Sequence, residues 1–212
     1  MCLPLGVAAG QTAQVTLRGQ KLDTATEVRA AGGVAARIVS QGNADLRERQ
    51  DTARVGDTLI VLELTLPAGW PPGKLDLIAV GPAGESTPHA LLIDSPDSTL
   101  AETDPNDGFR QAQEMQPGRM LEGSIRDPQD VDVYLLRGQP GAVVTVAVLA
   151  ARHGSAMDPI LTIYDARGRT LAAADDSAGS ADPSAGSVLI ALQDAHDQGG
   201  PAYPYRLAVT IE

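Results

Sequence analysis

"TLIVLELTLP" (residues 58–67) decides the fold class. Leu62, Leu64 and Leu66 stand at alternate positions, with Glu63 and Thr65 between them. A period of two turns the leucines to one face and the polar side chains to the other, as in a strand with one buried side. Val15 and Leu17 repeat the pattern in "AQVTLRG" (13–19). Further short apolar runs follow at "VAARIVS" (34–40), "KLDLIAVG" (74–81) and "HALLID" (89–94), separated by Gly32-Gly33, "PAGWPPGK" and "GPAGES". Between them, "NADLRERQDTA" (43–53) is polar and reads as a loop with one helical turn.

The character changes near residue 94. "DSPDSTLAETDPNDG" (94–108) has no apolar periodicity and carries two prolines, so it reads as a linker. Strand-like runs then resume at "MLEGSI" (120–125), "VDVYLLRG" (131–138), "AVVTVAVLA" (142–150), "PILTIYDA" (159–166), "TLAAAD" (170–175), "SVLIALQ" (187–193) and "YRLAVTIE" (205–212). "FRQAQEM" (109–115), about two turns long, is the helical candidate of this half. Short strands at roughly 8–12-residue spacing, twice over, predict an all-β chain of two tandem β-sandwiches. The boundaries read as 1–95 for the first domain, 96–105 for the linker and 106–212 for the second.

Composition agrees. Hydrophobic residues make 43% of the 212 and aromatics only 3%, so the cores must be built from Val, Leu, Ile and Ala. Twenty-two glycines and 15 prolines suit many turns. No Gly-rich stretch follows a strand and opens a helix, which excludes dinucleotide and phosphate-loop folds. Net charge is −11, of which residues 96–212 carry −9. Such acidity repels phosphate backbones, argues against nucleic-acid binding and suits divalent cations. Cys2 is the single cysteine, so neither an intramolecular disulfide nor a cysteine zinc cluster is available. No run of about 20 apolar residues predicts a membrane span. "MCLPLGVAAG" lacks the basic start and long apolar segment of a signal peptide, so export would make the chain a fragment or a processed form.

The acidic residues are the chemistry-bearing candidates. Ca²⁺ takes six to eight oxygens from carboxylates, amides, main-chain carbonyls and water. Glu102, Asp104, Asn106 and Asp107 offer such groups on one short segment, and Asp127, Asp130 and Asp132 offer three more on a later turn. The spacing is not that of an EF-hand loop. The plainer alternative is a solvated acidic linker, with Asp132 pairing inside its turn. Asp175, Asp176 and Asp182 form a second acidic group beside a Gly/Ser/Ala loop, read either as a cation site or as a surface connection. A hydrolase is not expected. No Gly-x-Ser-x-Gly occurs, and no two histidines share metal-ligand spacing. Trp70, on the "AGWPPG" turn, is either a ligand contact or packing over the end of the first sandwich.

The second half, about residues 102–212, resembles the bacterial pre-peptidase C-terminal domain. "ETDPND" (102–107), "MLEGSI", "DPQDVDVYLL" (127–136) with Tyr134, "GAVVTVAV" (141–148), "MDPILTIYDARGRTLAAADD" (157–176) and "YPYRLAV" (203–209) follow that family's order of motifs. Pro204 departs from its usual Gly-x-Tyr closing strand. The first half is similar to the immunoglobulin-like IPT/TIG module through "GQTAQVTLRGQKL" (10–22) and "PPGKLDLIAVGPAGES" (71–86). The resemblance implies an Ig-like sandwich followed by a jelly-roll-type one, in a non-catalytic accessory module of a larger exported bacterial protein. That module is secreted, periplasmic or at the cell surface, and spaces or attaches neighbouring domains. In collagen-binding relatives, an acidic linker and an acidic turn share calcium. By resemblance Glu102, Asp104, Asn106 and Asp107 match the linker half, with Asp104 in place of a longer Glu. Asp127 with Asp130, or Asp130 with Asp132, matches the turn half. The alternative role is recognition of a glycan, a collagen-like protein or a cell-surface protein. It asks for open aromatic faces among Trp70, Tyr134, Tyr164, Tyr203 and Tyr205.

Overall fold

The computed structural model describes residues 1–47, 50–138, 141–175, 178–181 and 186–211, with 178–181 described for the main chain only. The chain forms two compact units, Met1–Asp97 and Ser98–Glu212.

The first unit holds nine strands: β1 (Cys2–Leu3), β2 (Gly6–Ala8), β3 (Thr12–Gly19), β4 (Glu27–Ala30), β5 (Ala35–Asn43), β6 (Thr58–Thr65), β7 (Gly73–Gly81), β8 (Gly84–Glu85) and β9 (His89–Asp94). They make two sheets, ordered β1-β3-β6-β5 and β2-β9-β7-β4, with β8 folded back on β7. The opening motif behaves as its period requires. Leu62 and Leu64 are fully buried and sit opposite Val15 and Ala13 of β3. Glu63 points outward, where Arg37 of β5 pairs with it at 3.0 Å. Leucines and valines of both sheets form one core, from Val7 and Val15 through Leu75, Leu77 and Leu91. The Trp70 ring packs against this core, and a side chain at Gly32 would meet the ring at 2.5 Å. Of the stretch 43–53, Asn43 ends β5 and Thr52 opens a one-turn helix, Thr52–Val55, capped by the Asp51 side chain.

The second unit holds ten strands: β10 (Thr99–Ala101), β11 (Gln113–Met115), β12 (Met120–Ser124), β13 (Val131–Arg137), β14 (Val144–Leu149), β15 (Pro159–Asp165), β16 (Thr170–Asp175), β17 (Ala178–Ala181), β18 (Ser187–Asp194) and β19 (Pro204–Ile211). Two five-stranded sheets result, β10-β12-β19-β14-β17 and β11-β13-β18-β15-β16. The chain is therefore all-β, in β-sandwich units.

Two local expectations fail here. Residues 109–115 do not form a helix; they turn and then enter β11, which runs parallel to β13. Two turns of helix are marginal in water, whereas β11 buries Met115 beside Leu136 of its neighbour. Within the stretch 96–105 read as a linker, Thr99–Ala101 pairs in parallel with Met120–Glu122. Three residues are too few to show periodicity, and only their distant partner reveals them as a strand. Of the second acidic group, Asp176 and Asp182 lie outside the described residues.

Candidate metal centre

Strand β10 carries the chain to Glu102, whose main-chain N–H donates to Glu122 O of β12 at 2.9 Å. This fixes the Glu102 carboxylate over the end of β12, where Ser124 N donates to Oε2 at 3.0 Å. The space beside it exists because residue 123 is glycine. A Cβ there would lie 2.6 Å from the Tyr205 hydroxyl oxygen and 3.0 Å from Glu102 Cδ. The glycine of "MLEGSI" thus makes a cradle for a carboxylate and a phenol.

From the other sheet come Asp132 and Tyr134 on β13, both buried and both on the core side of that strand. Tyr205 of β19 closes the group and is fully buried. Its hydroxyl donates to Asp132 Oδ2 at 2.6 Å and lies 2.9 Å from Glu102 Oε1. The Tyr134 hydroxyl lies 2.9 Å from the same Oε1 and touches the Tyr205 hydroxyl directly. Two hydroxyl protons must therefore serve four contacts among two phenols and two carboxylates. A phenol has one proton and an ionised carboxylate has none, so with both carboxylates ionised the group is short of positive charge.

Electrostatics express that shortage. Burial first, and the charge of Glu102 next, push the Asp132 carboxyl up to about 9. Burial followed by the neighbouring carboxylates also raises the Tyr134 hydroxyl, and burial followed by Tyr134 and then the carboxylates raises that of Tyr205. Asp104 is raised as well, by burial and Glu102, with the Arg126 guanidinium opposing.

Glu102, Asp104 and Asp132 each present a carboxylate oxygen, and these oxygens lie within 4.8 Å of one another. Asn106 is fully buried and donates through Nδ2 to Glu102 Oε1 at 3.2 Å. Its Oδ1 is buried with no hydrogen-bond partner among the described residues. An acceptor left over in a site already rich in acceptors is what an oxygen-liking cation would use. Glu102, Asp104, Asn106 and Asp132 could together hold such an ion.

The other candidates lie beside the cluster, where Asp130 and Asp107 add their charge to Asp104, and Asp130 to Asp132. Asp130 Oδ2 accepts from Arg126 N at 2.7 Å, which ties up its own turn. Asp107 and Asp127 line an open cleft of about 430 Å³ with Asp104, Arg126 and Asp130. Of the two turn pairings left open by sequence, neither is assembled whole: Asp132 joins the cluster, and Asp127 does not. Tyr205, Tyr134 and Gly123 escape a search for metal ligands, because none is a carboxylate. Their signal in the sequence is a tyrosine and a glycine inside otherwise aliphatic strands. Among the residues weighed as sugar platforms, Tyr134, Tyr203 and Tyr205 are buried, and Trp70 and Tyr164 are half-buried.

No family model matches the chain, and no curated protein matches it. Similar solved structures include the pre-peptidase C-terminal domain of a collagenase from Bacillus anthracis, 16% identical, covering 51% of this chain and 100% of that one, TM-score 0.37. The secreted serine protease VesC from Vibrio cholerae is 11% identical, covering 98% of this chain and 48% of that one, TM-score 0.30. The mixed-linkage glucan protein SGBP-B from Bacteroides ovatus, in complex with a heptasaccharide, is 10% identical, covering 98% and 71%, TM-score 0.30. The chain spans about half the length of the Vibrio protein.

Proposed function

We propose that this chain is a non-catalytic accessory segment of an exported bacterial protein, and that its second unit is stabilised by Ca²⁺ held by Glu102, Asp104, Asn106 and Asp132. The observation that carries this reading is the convergence of three carboxylates, brought from residues 102–104 and 132, on one spot beside the orphaned Asn106 Oδ1. All the donors are hard oxygens, the set preferred by calcium over softer metals. A divalent ion would supply the positive charge that two phenolic protons cannot. It would bind only the folded unit, because unfolding separates residue 102 from residue 132, and so it would stabilise by mass action. The unit would then serve as a rigid spacer or attachment module. Burial of Tyr203 and Tyr205 supports this role over a sugar platform.

The test is a melting curve in calcium and in chelator for the parent chain and for Asp104→Ala, with Asp130→Ala as a comparison for a carboxylate beside the cluster that is not among the four proposed ligands. The reading requires a rise in the parent that is lost in Asp104→Ala and still present, if smaller, in Asp130→Ala. A melting temperature indifferent to calcium removes it.

A further inference from the structure

We infer that residues 103–113 form a strap that sets the position of Glu102, with Gln113 and Phe109 as its positioning residues; this rests on reading the acidic cluster as a cation site.

Gln113 clamps the main chain on both sides of Glu102. Its Nε2 donates to Ala101 O at 2.9 Å, and its Oε1 accepts from Thr103 N at 2.8 Å. One amide thus closes the segment on itself with Glu102 at the centre of the clamp. Asn106 fixes the strap a second time. Its main-chain O accepts from Val133 N at 2.9 Å, while its side chain reaches Glu102.

The middle of the strap is seated on the face of β13 and β18 turned away from Tyr134. Val133, Leu189 and Ala191 form an apolar cluster there, and Ala112 packs against it with Tyr164. Phe109 is the chain's single phenylalanine. Its ring lies 5.1 Å from that of Tyr164 at an interplanar angle of 58°. The same ring would be 3.3 Å from a Cβ at Gly168, so the glycine of the "DARGR" turn gives it room. Phe109 remains 46% exposed and makes these contacts on the opposite side of the sheet from Asp132 and Tyr134.

Seating the strap and placing Glu102 are then one event. A segment already ordered by Phe109 and Gln113 loses less freedom when an ion arrives, and tighter binding follows. Linkage makes the effect reciprocal: an ion on Glu102 must hold the strap down.

The experiment uses the whole chain with calcium chloride as the probe. Calorimetric titration is run on the parent, Phe109→Ala, Gln113→Ala and Gln113→Glu. Amide exchange is measured at Thr103 and Val133 without metal. Phe109→Ala and Gln113→Ala are expected to weaken calcium binding about fivefold or more and to speed exchange at both amides. Gln113→Glu keeps the acceptor for Thr103 N but loses the donor to Ala101 O, so its exchange at Thr103 falls between the parent and Gln113→Ala. Unchanged exchange at Thr103 and Val133 in Phe109→Ala, or parent-like affinity in both alanine variants, overturns the inference. A parent that takes no calcium removes the cation reading alone, and the exchange data then decide the strap.

Discussion

The Tyr205 hydroxyl donates to Asp132 Oδ2 at 2.6 Å, joining the last strand of the second unit to a carboxylate 73 residues earlier. Both side chains are buried, and Glu102 Oε1 lies 2.9 Å from the same hydroxyl. One phenol therefore stands between two carboxyl groups, and burial together with the charge of Glu102 keeps the proton on Asp132. Most of the expected behaviour of this unit follows from that arrangement.

Asp132→Asn replaces a carboxyl that the fold keeps protonated with a neutral amide, and keeps an oxygen for the Tyr205 proton. The metal-free melting temperature should rise by several degrees, since relief of about 1 kcal/mol moves a domain of this size by roughly 4 °C or more. The calcium-dependent rise should vanish. Calorimetry in calcium and in chelator measures both, and a full calcium response in this variant removes Asp132 from the ligand set.

Stability should depend on pH with a defined sign. The folded carboxyl of Asp132 sits at about 9, above its unfolded value near 3.9. The folded chain keeps a proton that the unfolded chain releases, so this group's contribution is complete below about pH 4 and is lost as pH climbs towards 9. Asp104 is shifted in the same direction. Calcium needs its carboxylates deprotonated, so its stabilising effect should be larger at pH 8 than at pH 5. Thermal melts at both values, with and without calcium, check the ordering.

Tyr205→Phe preserves the ring but strips Asp132 of its donor. A buried acceptor left unpaired costs roughly 1–3 kcal/mol, to be read from urea unfolding in chelator. Added calcium should narrow the gap to the parent, because an ion held there would satisfy the same oxygens. A wider gap in calcium would place the ion elsewhere.

Asp194 gives a control remote from the cluster in role. It is 2% exposed, and its carboxylate accepts from the main-chain N–H of Asp158, His196 and Gln198 at 2.8, 3.1 and 3.0 Å. Asp194→Ala should cost roughly 2–4 kcal/mol in metal-free unfolding. Its calcium affinity, measured below the unfolding transition, should equal the parent's.

In the first unit, Arg18 is 4% exposed, and its guanidinium donates to Val55 O and Asp45 O at 2.6 Å each and to Gly56 O at 3.3 Å. These bonds hold Asp45 after β5 and Val55–Gly56 before β6. Arg18→Met should lower stability by about 2–3 kcal/mol and open residues 44–56 to proteolysis. Resistance to limited proteolysis equal to the parent's would show that the loop is held by other contacts.

Much of the fold was legible in particular residues. Leu62, Leu64 and Leu66 announced β6, the same alternation located β3, and short apolar runs located β7 and β13, each to within a residue or two. It failed where an element is too short to show a period. Thr99–Ala101 and Gln113–Met115 are three-residue strands, each paired in parallel to a strand begun some twenty residues later. Local sequence cannot reveal a hydrogen-bond partner that arrives from elsewhere.

The candidate site was legible in part for the same reason. Carboxylates at 102, 104 and 132 could be marked, because a residue type declares which atoms it offers. Alternation in an aliphatic chain with few aromatics was enough to require two layered β cores, since that is the arrangement that buries one face of each strand. The choice of Asp132 over Asp127, the recruitment of Tyr205, and the glycine gap at 123 that admits them belong to the tertiary structure. They depend on which strands lie side by side, and that is settled by packing across the whole unit, not by spacing along the chain.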